Sequence, residues 1–245
     1  MPTVKAAKPQ SIRVAVAPSD HVTALVYRAP PAHRLGVTLI LGHGAGADQN
    51  SSFMVHFATA LAARGVDTLT FNFVYTEHGG RAPDRNDRLE SCWRAVIATV
   101  RGTDFPLGAG GSKLVIGGKS MGGRIASQIA SQPAPSGPDD IAGLVFLGYP
   151  LHPPGRSDKL RSEHFGRVLA PMLFVQGSRD AFGTPAELRA ALSDVKATGD
   201  LYVVEGGDHS FKTPKRGGVP QEEVYAAVHD EIVRWITTRV TEPPR

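Results

Sequence analysis

Short apolar runs, each closed by glycine, proline or a polar cluster, recur along the chain. They are Ile12 to Ala17, Val22 to Tyr27, Val37 to Leu41, Val66 to Phe71, Leu114 to Ile116, Leu144 to Leu147, Met172 to Val175 and Leu201 to Val204. Their length and β-branched content predict strands. Pro18, Ser19, Asp20 and His21 split the first two, which reads as an antiparallel pair opening the sheet. Other stretches repeat their apolar residues at helical spacing. Met54, Phe57, Ala58 and Leu61 predict a helix from Ser51 or Ser52 to Ala63, with Gly65 as its stop. Leu89, Trp93, Val96 and Val100 predict another, opened by an Asp87–Glu90 capping box. Ile125, Ala126, Ile129 and Ala130 mark a third. Further helices are expected over Lys159 to Val168, from Thr184, Pro185 and Glu187, and over Gln221 to Val240, where acidic residues open the helix and arginines close it.

Strands that alternate with helices predict an α/β fold, with a mostly parallel central sheet of about 7–8 strands flanked by helices. No internal repeat and no dividing linker is visible. Residues 1–10 read as a flexible tail and 11–245 as a single domain. Residues 132–140, rich in Pro, Ser and Asp, read as a loop. The stretch from Gly148 to Pro171 is too short for a large lid domain, so an open site is expected.

The chemistry centres on Gly118-Lys119-Ser120-Met121-Gly122, where a predicted strand meets a predicted helix. A G-x-S-x-G turn at such a junction is a nucleophile elbow. The tight turn raises the serine hydroxyl above the sheet edge, and side chains at 118 and 122 would collide with the neighbouring strand and helix. The next helix directs free N–H groups to the same point. The pentapeptide alone is a weak signal in a chain with 27 Gly. Gly118-Lys119-Ser120 also matches the end of a phosphate-binding loop, but the first glycine of that motif falls on Lys113.

Strength comes from the partners. Ser120, Asp180 and His209 occur in the order Ser…Asp…His, each just past a predicted strand. In a parallel sheet those strand ends share one edge, so the three converge. His209 would take the Ser120 proton, and Asp180 would hold the imidazole tautomer. Asp180 is alternatively a turn residue and His209 an exposed loop histidine; Asp208 is a rival acid, badly placed beside His209 in sequence. Gly42-His43-Gly44-Ala45-Gly46 forms a second glycine-rich turn after the third strand. It predicts an oxyanion hole from the N–H of Ala45, or Gly46, with that of Met121. His43 is expected to prop this loop, and His43, Gly44, Tyr75 and His152 are the candidate substrate contacts. The charged loop from Asn72 to Arg85 reads as tied down by ion pairs. Lys119 and Arg124 read first as solvated surface, and second as a positive field favouring anionic substrates.

Composition narrows the classes. The chain has 245 residues, 41% hydrophobic and 20% charged, with a formal net charge of +4. Its basic residues are scattered, which argues against a nucleic-acid partner. One cysteine, Cys92, excludes an intrachain disulfide and reads as a packed core thiol. No signal-like stretch opens the chain and no run approaches a membrane span, so no membrane partner and a cytoplasmic location are expected.

Together these pieces resemble the α/β-hydrolases, and more narrowly the small lidless branch related to dienelactone hydrolase. Residues 41–48, 71–75, 81–85, 117–124 and 148–155 resemble a group shared by bacterial predicted hydrolases, testis-expressed proteins and subunit 3 of the NSL chromatin complex. The resemblance implies Ser120 as nucleophile, Asp180 as acid and His209 as base, and it places the loops of Tyr75, Arg81 and His152 near the site. Dienelactone hydrolase itself uses cysteine. The expectation is a serine hydrolase acting on a small-molecule ester or thioester, with no metal and no cofactor. The alternatives are a hydrolase-fold binding or scaffold module, and an amidase or peptidase with the same triad. Oligomeric state stays open.

Overall fold

The apolar runs form one eight-stranded sheet in the computed structural model, which describes residues 8–107, 112–132, 140–214 and 219–242. In chain order the elements are β1 (Gln10–Ala15), β2 (His21–Tyr27), β3 (Val37–Gly42), α1 (Ser52–Ala63), β4 (Asp67–Phe71), α2 (Val74–Glu77), α3 (Asn86–Arg101), β5 (Lys113–Lys119), α4 (Met121–Ala130), β6 (Ile141–Leu147), β7 (Met172–Gly177), α5 (Pro185–Asp194), β8 (Asp200–Val204) and α6 (Gln221–Trp235), which continues as a π-helical segment, Ile236–Thr241. The strand order is β1-β2-β4-β3-β5-β6-β7-β8. β1 and β2 run antiparallel to each other, and β2 runs antiparallel to β4. From β4 to β8 every pairing is parallel.

Strand alternation assigns the two faces. Ile40, Leu114, Ile116, Leu144, Phe146 and Phe174 pack on one side with α3, α4 and α5. Leu39, Leu41, Val115, Val145, Leu147 and Val175 pack on the other with α1 and α6. Successive side chains of a strand point to opposite faces, so a strand covered by helices on both sides must be apolar throughout. That is why β3 and β7 are buried along their whole length. Among the described residues no helix is long and apolar enough to cross a membrane.

Three local expectations are corrected. Lys159 to Val168 is not an α-helix; only a 3₁₀ turn, Phe165–Arg167, forms there. The backbone is engaged elsewhere: Arg161 N–H donates to Leu151 O at 2.8 Å, and the Tyr149 hydroxyl donates to Arg161 O at 2.7 Å. The Asp87–Glu90 capping box is absent, because Arg85 is the N-cap and makes no side-chain cap. Asp87 instead pairs with Arg85, while Glu90 accepts from Asn86 and Gln132. The Asn72 to Arg85 loop contains the short helix α2. The capping box at Thr184 and Glu187 does form. Of the tail expected over 1–10, residues 1–7 lie outside the described residues, and Gln10 already belongs to β1. Of the loop expected over 132–140, residues 133–139 also lie outside them.

Parallel strands bring the carboxyl ends of β3, β5, β7 and β8 to one edge. At that edge the backbones of β3 and the β5–α4 turn almost touch. A β carbon at Gly118 would lie 2.2 Å from Gly42 O, and one at Gly122 would lie 2.1 Å from the same oxygen. Neither obstacle is a side chain that can swing away. Gly122→Ala is therefore expected to lower stability by about 1–3 kcal/mol, as overpacking does. Urea unfolding of the purified variant beside wild type checks this, and an unchanged midpoint would refute the packing argument.

Candidate active site

Ser120 stands at the turn between β5 and α4 with φ 50° and ψ −115°. Positive φ is costly for a residue with a β carbon. Two backbone bonds hold it: Ser120 N–H donates to Leu147 O at 3.1 Å, and Arg124 N–H donates to Ser120 O at 3.0 Å. Ser120 lines a cavity of about 580 Å³ with Gly44, Ala45, Lys119, Met121 and His209. Gly44 lies so close that a β carbon there would touch the Ser120 β carbon at 3.6 Å. Met121 is the first residue of α4, where N–H groups lack intrahelical acceptors. The two segments predicted to carry the oxyanion-binding N–H groups, at Ala45 and Met121, thus share the cavity wall with the serine.

His209 reaches the cavity from the loop after β8. Its Nδ1 lies 2.8 Å from Oδ2 of Asp180, which is 1% exposed and follows β7. Phe182 N–H donates to the other Asp180 oxygen at 2.9 Å. The Phe182 ring covers the imidazole, with centroids 4.3 Å apart and planes 32° apart. Asp208, the rival acid, accepts instead from the backbone N–H groups of Ser210 and Lys212. Asp180 has a further partner that the sequence did not reveal. Gln176 Nε2 faces three acceptors: Asp180 Oδ2 at 2.9 Å, Gly183 O at 2.8 Å and Tyr149 O at 3.2 Å. Its Oε1 accepts from Tyr149 N–H at 2.8 Å. One buried amide therefore joins the β7 turn to the β6 turn and orients the acid. The only signal for it was a polar residue directly after the apolar run Met172 to Val175.

Lys119 also departs from expectation. It is 9% exposed, not solvated, because β5 extends through it. Its Nζ donates to the carbonyl of His209 at 2.7 Å and lies 5.8 Å from the Phe53 ring centroid. Burial pushes its pKa down to about 7, against the attraction of Asp180 and Asp208. The ammonium braces the loop that carries His209.

The remaining candidates are held behind the cavity. His43 is fully buried. Phe73 N–H donates to its Nε2 at 3.2 Å, so the ring proton sits on Nδ1 and donates to Gly44 O at 2.9 Å. Burial pushes its pKa down, in keeping with a neutral prop for the loop rather than a substrate contact. Tyr75 packs edge-on against His43 at 6.0 Å and is not part of the cavity wall. His152 is buried with Nδ1 on Pro153 O at 2.9 Å, and it too is absent from the wall. Of the four predicted substrate contacts, only Gly44 faces the cavity, because the other three are consumed in holding loops together. Arg81 is exposed and outside the wall, although Pro83 and Asp84 of its loop line it, with Asn86 at the start of α3. That loop is pinned as expected: Tyr75 N–H donates to Asp84, and Asp84 pairs with Arg88. Cys92 is buried, and burial pushes its thiol up to about 12. Among the described residues no three His, Cys, Asp or Glu side chains gather as a metal site would require.

A family model described as an alpha/beta hydrolase domain matches residues 36–237. Solved structures agree in fold. A dienelactone hydrolase from Anabaena variabilis is 18% identical, with TM-score 0.70, covering 96% of this chain and 100% of that one. An α/β serine hydrolase without lid from Xanthomonas campestris is 19% identical, with TM-score 0.69, covering 100% and 99%. An α/β serine hydrolase homologue from Coxiella burnetii is 18% identical, with TM-score 0.69, covering 94% and 98%.

Two outcomes test this account of the site. A lysine near pKa 7 in the fold, and near its ordinary 10.5 when unfolded, takes up a proton on unfolding between those values. The cost of burying its charge is present in full below the window and shrinks as pH rises through it. The urea midpoint should therefore climb from pH 7 to 10, and Lys119→Met should flatten that climb. An identical slope in the mutant would contradict the burial. Gln176→Leu should cost about 1–3 kcal/mol, since it strands the buried Tyr149 N–H and leaves Asp180 Oδ2 with His209 alone of its two side-chain partners. Thermal unfolding indistinguishable from wild type would remove Gln176 from the network.

Proposed function

This chain belongs to the alpha/beta hydrolase domain family, and we propose that it is a serine hydrolase cleaving small esters or thioesters through an acyl-enzyme on Ser120. The observation that carries the reading is that His209, hydrogen-bonded to the buried Asp180, lines the same cavity as the strained Ser120. Because Asp180 engages Nδ1, the imidazole proton sits there and Nε2 is the ring's basic atom. Nε2 takes the hydroxyl proton as Ser120 Oγ bonds to the substrate carbonyl carbon. Asp180 stabilises the imidazolium that results. The carbonyl oxygen becomes an oxyanion, and the N–H groups of Met121 and Ala45 stabilise it. The tetrahedral centre then collapses. The bond to the leaving oxygen or sulfur breaks, and Nε2 returns its proton to the leaving group. Water, deprotonated by Nε2, attacks the acyl-serine by the same route and frees the acid.

The open cavity suits a small soluble substrate. The lidless serine hydrolase and dienelactone hydrolase folds that this chain resembles support the same reading. Ser120→Ala should cut kcat for 4-nitrophenyl acetate or butyrate by up to about 10⁶, the scale of triads that act as one unit. A fluorophosphonate probe should label wild type at Ser120, and neither Ser120→Ala nor His209→Ala. Folded wild-type protein that resists the probe would overturn the proposal.

A further inference from the structure

Among the described residues four that are not glycine have positive φ: Ser120, Asp140, Lys196 and Phe211. Asp140 and Lys196 are exposed, so no packing constrains their side chains. Ser120 is the proposed nucleophile. Phe211, at φ 64°, is fully buried and stands two residues after His209. That conformation is costly for a bulky side chain and persists only where the surroundings impose it. The chemistry above gives Phe211 no part.

The surroundings are specific. The turn closes on itself, since Phe211 N–H donates to Asp208 O at 2.9 Å and Asp208 N–H donates to Lys212 O at 3.0 Å. Three successive carbonyls of this turn are held by side chains from outside it. Lys119 Nζ donates to His209 O at 2.7 Å, the Tyr225 hydroxyl to Ser210 O at 3.2 Å, and Gln221 Nε2 to Phe211 O at 3.0 Å. Gln221 and Tyr225 are one turn apart on α6, so they share a face. The Phe211 ring packs in the layer under α1 and α6, 5.9 Å from the Phe53 ring and 6.2 Å from the Phe57 ring. Tyr225 packs on the same two rings, at 6.0 and 5.4 Å. Phe53 is on the cavity wall, whereas Phe211 and Tyr225 are not. Asp180 orients the imidazole through Nδ1, but it does not fix the main chain from which the ring hangs. The reach of Nε2 to Ser120 depends on both, and a misplacement of about 1 Å can cost about 10²-fold in rate.

We propose that Phe211 and Tyr225 are positioning residues for His209: the buried ring and the hydroxyl hold the strained turn so that the imidazole meets Ser120, and neither touches substrate. This rests on the serine-hydrolase reading of the same cavity. Acylation and deacylation both pass their proton through His209, so a displaced imidazole should slow the two alike, lowering kcat and leaving KM unchanged. The test measures kcat and KM for 4-nitrophenyl butyrate in wild type, Phe211→Gly, Phe211→Leu and Tyr225→Phe. Glycine adopts positive φ freely, so Phe211→Gly removes the ring without opposing the turn. It should lower kcat about 100-fold. Phe211→Leu restores an apolar anchor and should recover part of that loss. Tyr225→Phe keeps every ring and removes one hydrogen bond, so it carries the test even if the glycine variant does not fold. It should lower kcat about 3- to 10-fold. A wild-type kcat in Tyr225→Phe, or in folded Phe211→Gly, would overturn the inference, as would a loss that falls on KM alone. Amide hydrogen exchange over residues 208–212, compared between wild type and Tyr225→Phe, separates this claim from the hydrolase reading. Exchange that is unchanged in the variant, with Ser120 of wild type labelled by the fluorophosphonate, sinks the positioning role alone. Faster exchange in the variant, with wild type unlabelled, keeps the anchored turn and sinks the hydrolase reading. Unchanged exchange with wild type unlabelled sinks both.

Discussion

The carbonyl oxygen of Gly42 occupies the space where β carbons at 118 and 122 would project, at 2.2 and 2.1 Å. This contact between the end of β3 and the β5–α4 turn is the constraint on which the site depends. It lets the turn close tightly enough to hold Ser120 at φ 50°. It also seats the Gly44–Ala45 loop, which leaves β3 immediately afterwards, against the serine. The strained residue and its candidate oxyanion donors are therefore set by one backbone approach. Sheet pairing on either side, β3 with β5 and β5 with β6, makes that approach rigid.

A second layer of polar contacts supports the His–Asp pair. Gln176 ties the β7 turn to the β6 turn and gives Asp180 an N–H, while the Lys119 ammonium grips the carbonyl of His209. Neither group is a member of the proposed triad. Each is a buried polar side chain whose partners lie on other strand ends. Such groups are expensive unless satisfied. Their satisfaction makes the three loops at the sheet edge one unit, and this is the preorganisation that the proposed acyl transfer requires.

Much of the fold was legible in order. Apolar runs marked the strands, and helical spacing marked α1, α3, α4 and α6, because burial on two faces or one leaves a distinct periodicity. Failures fell where local chemistry competed with a tertiary partner. Residues 159–168 carry helix-compatible residues, but Arg161 gives its backbone to Leu151 and Tyr149 instead. Asp87 and Glu90 have the letters of a capping box, yet both side chains go to Arg85, Asn86 and Gln132. The site followed the same division. Ser120, Asp180 and His209 were marked by residue type, order and position after strands. His43, Tyr75 and His152 have suitable chemistry but were spent on holding loops.

By itself the sequence determined the α/β alternation, the glycine-framed serine and the chain order of the three polar residues, because each is written in local spacing. Tertiary structure alone decided that Asp180 rather than Asp208 meets His209, that Lys119 is buried, and that Arg124 lines the same cavity as Ser120. Those outcomes depend on which strand ends lie side by side and on which carboxylates are already taken. Both are set by the packing of segments far apart in the chain, and no local pattern records them.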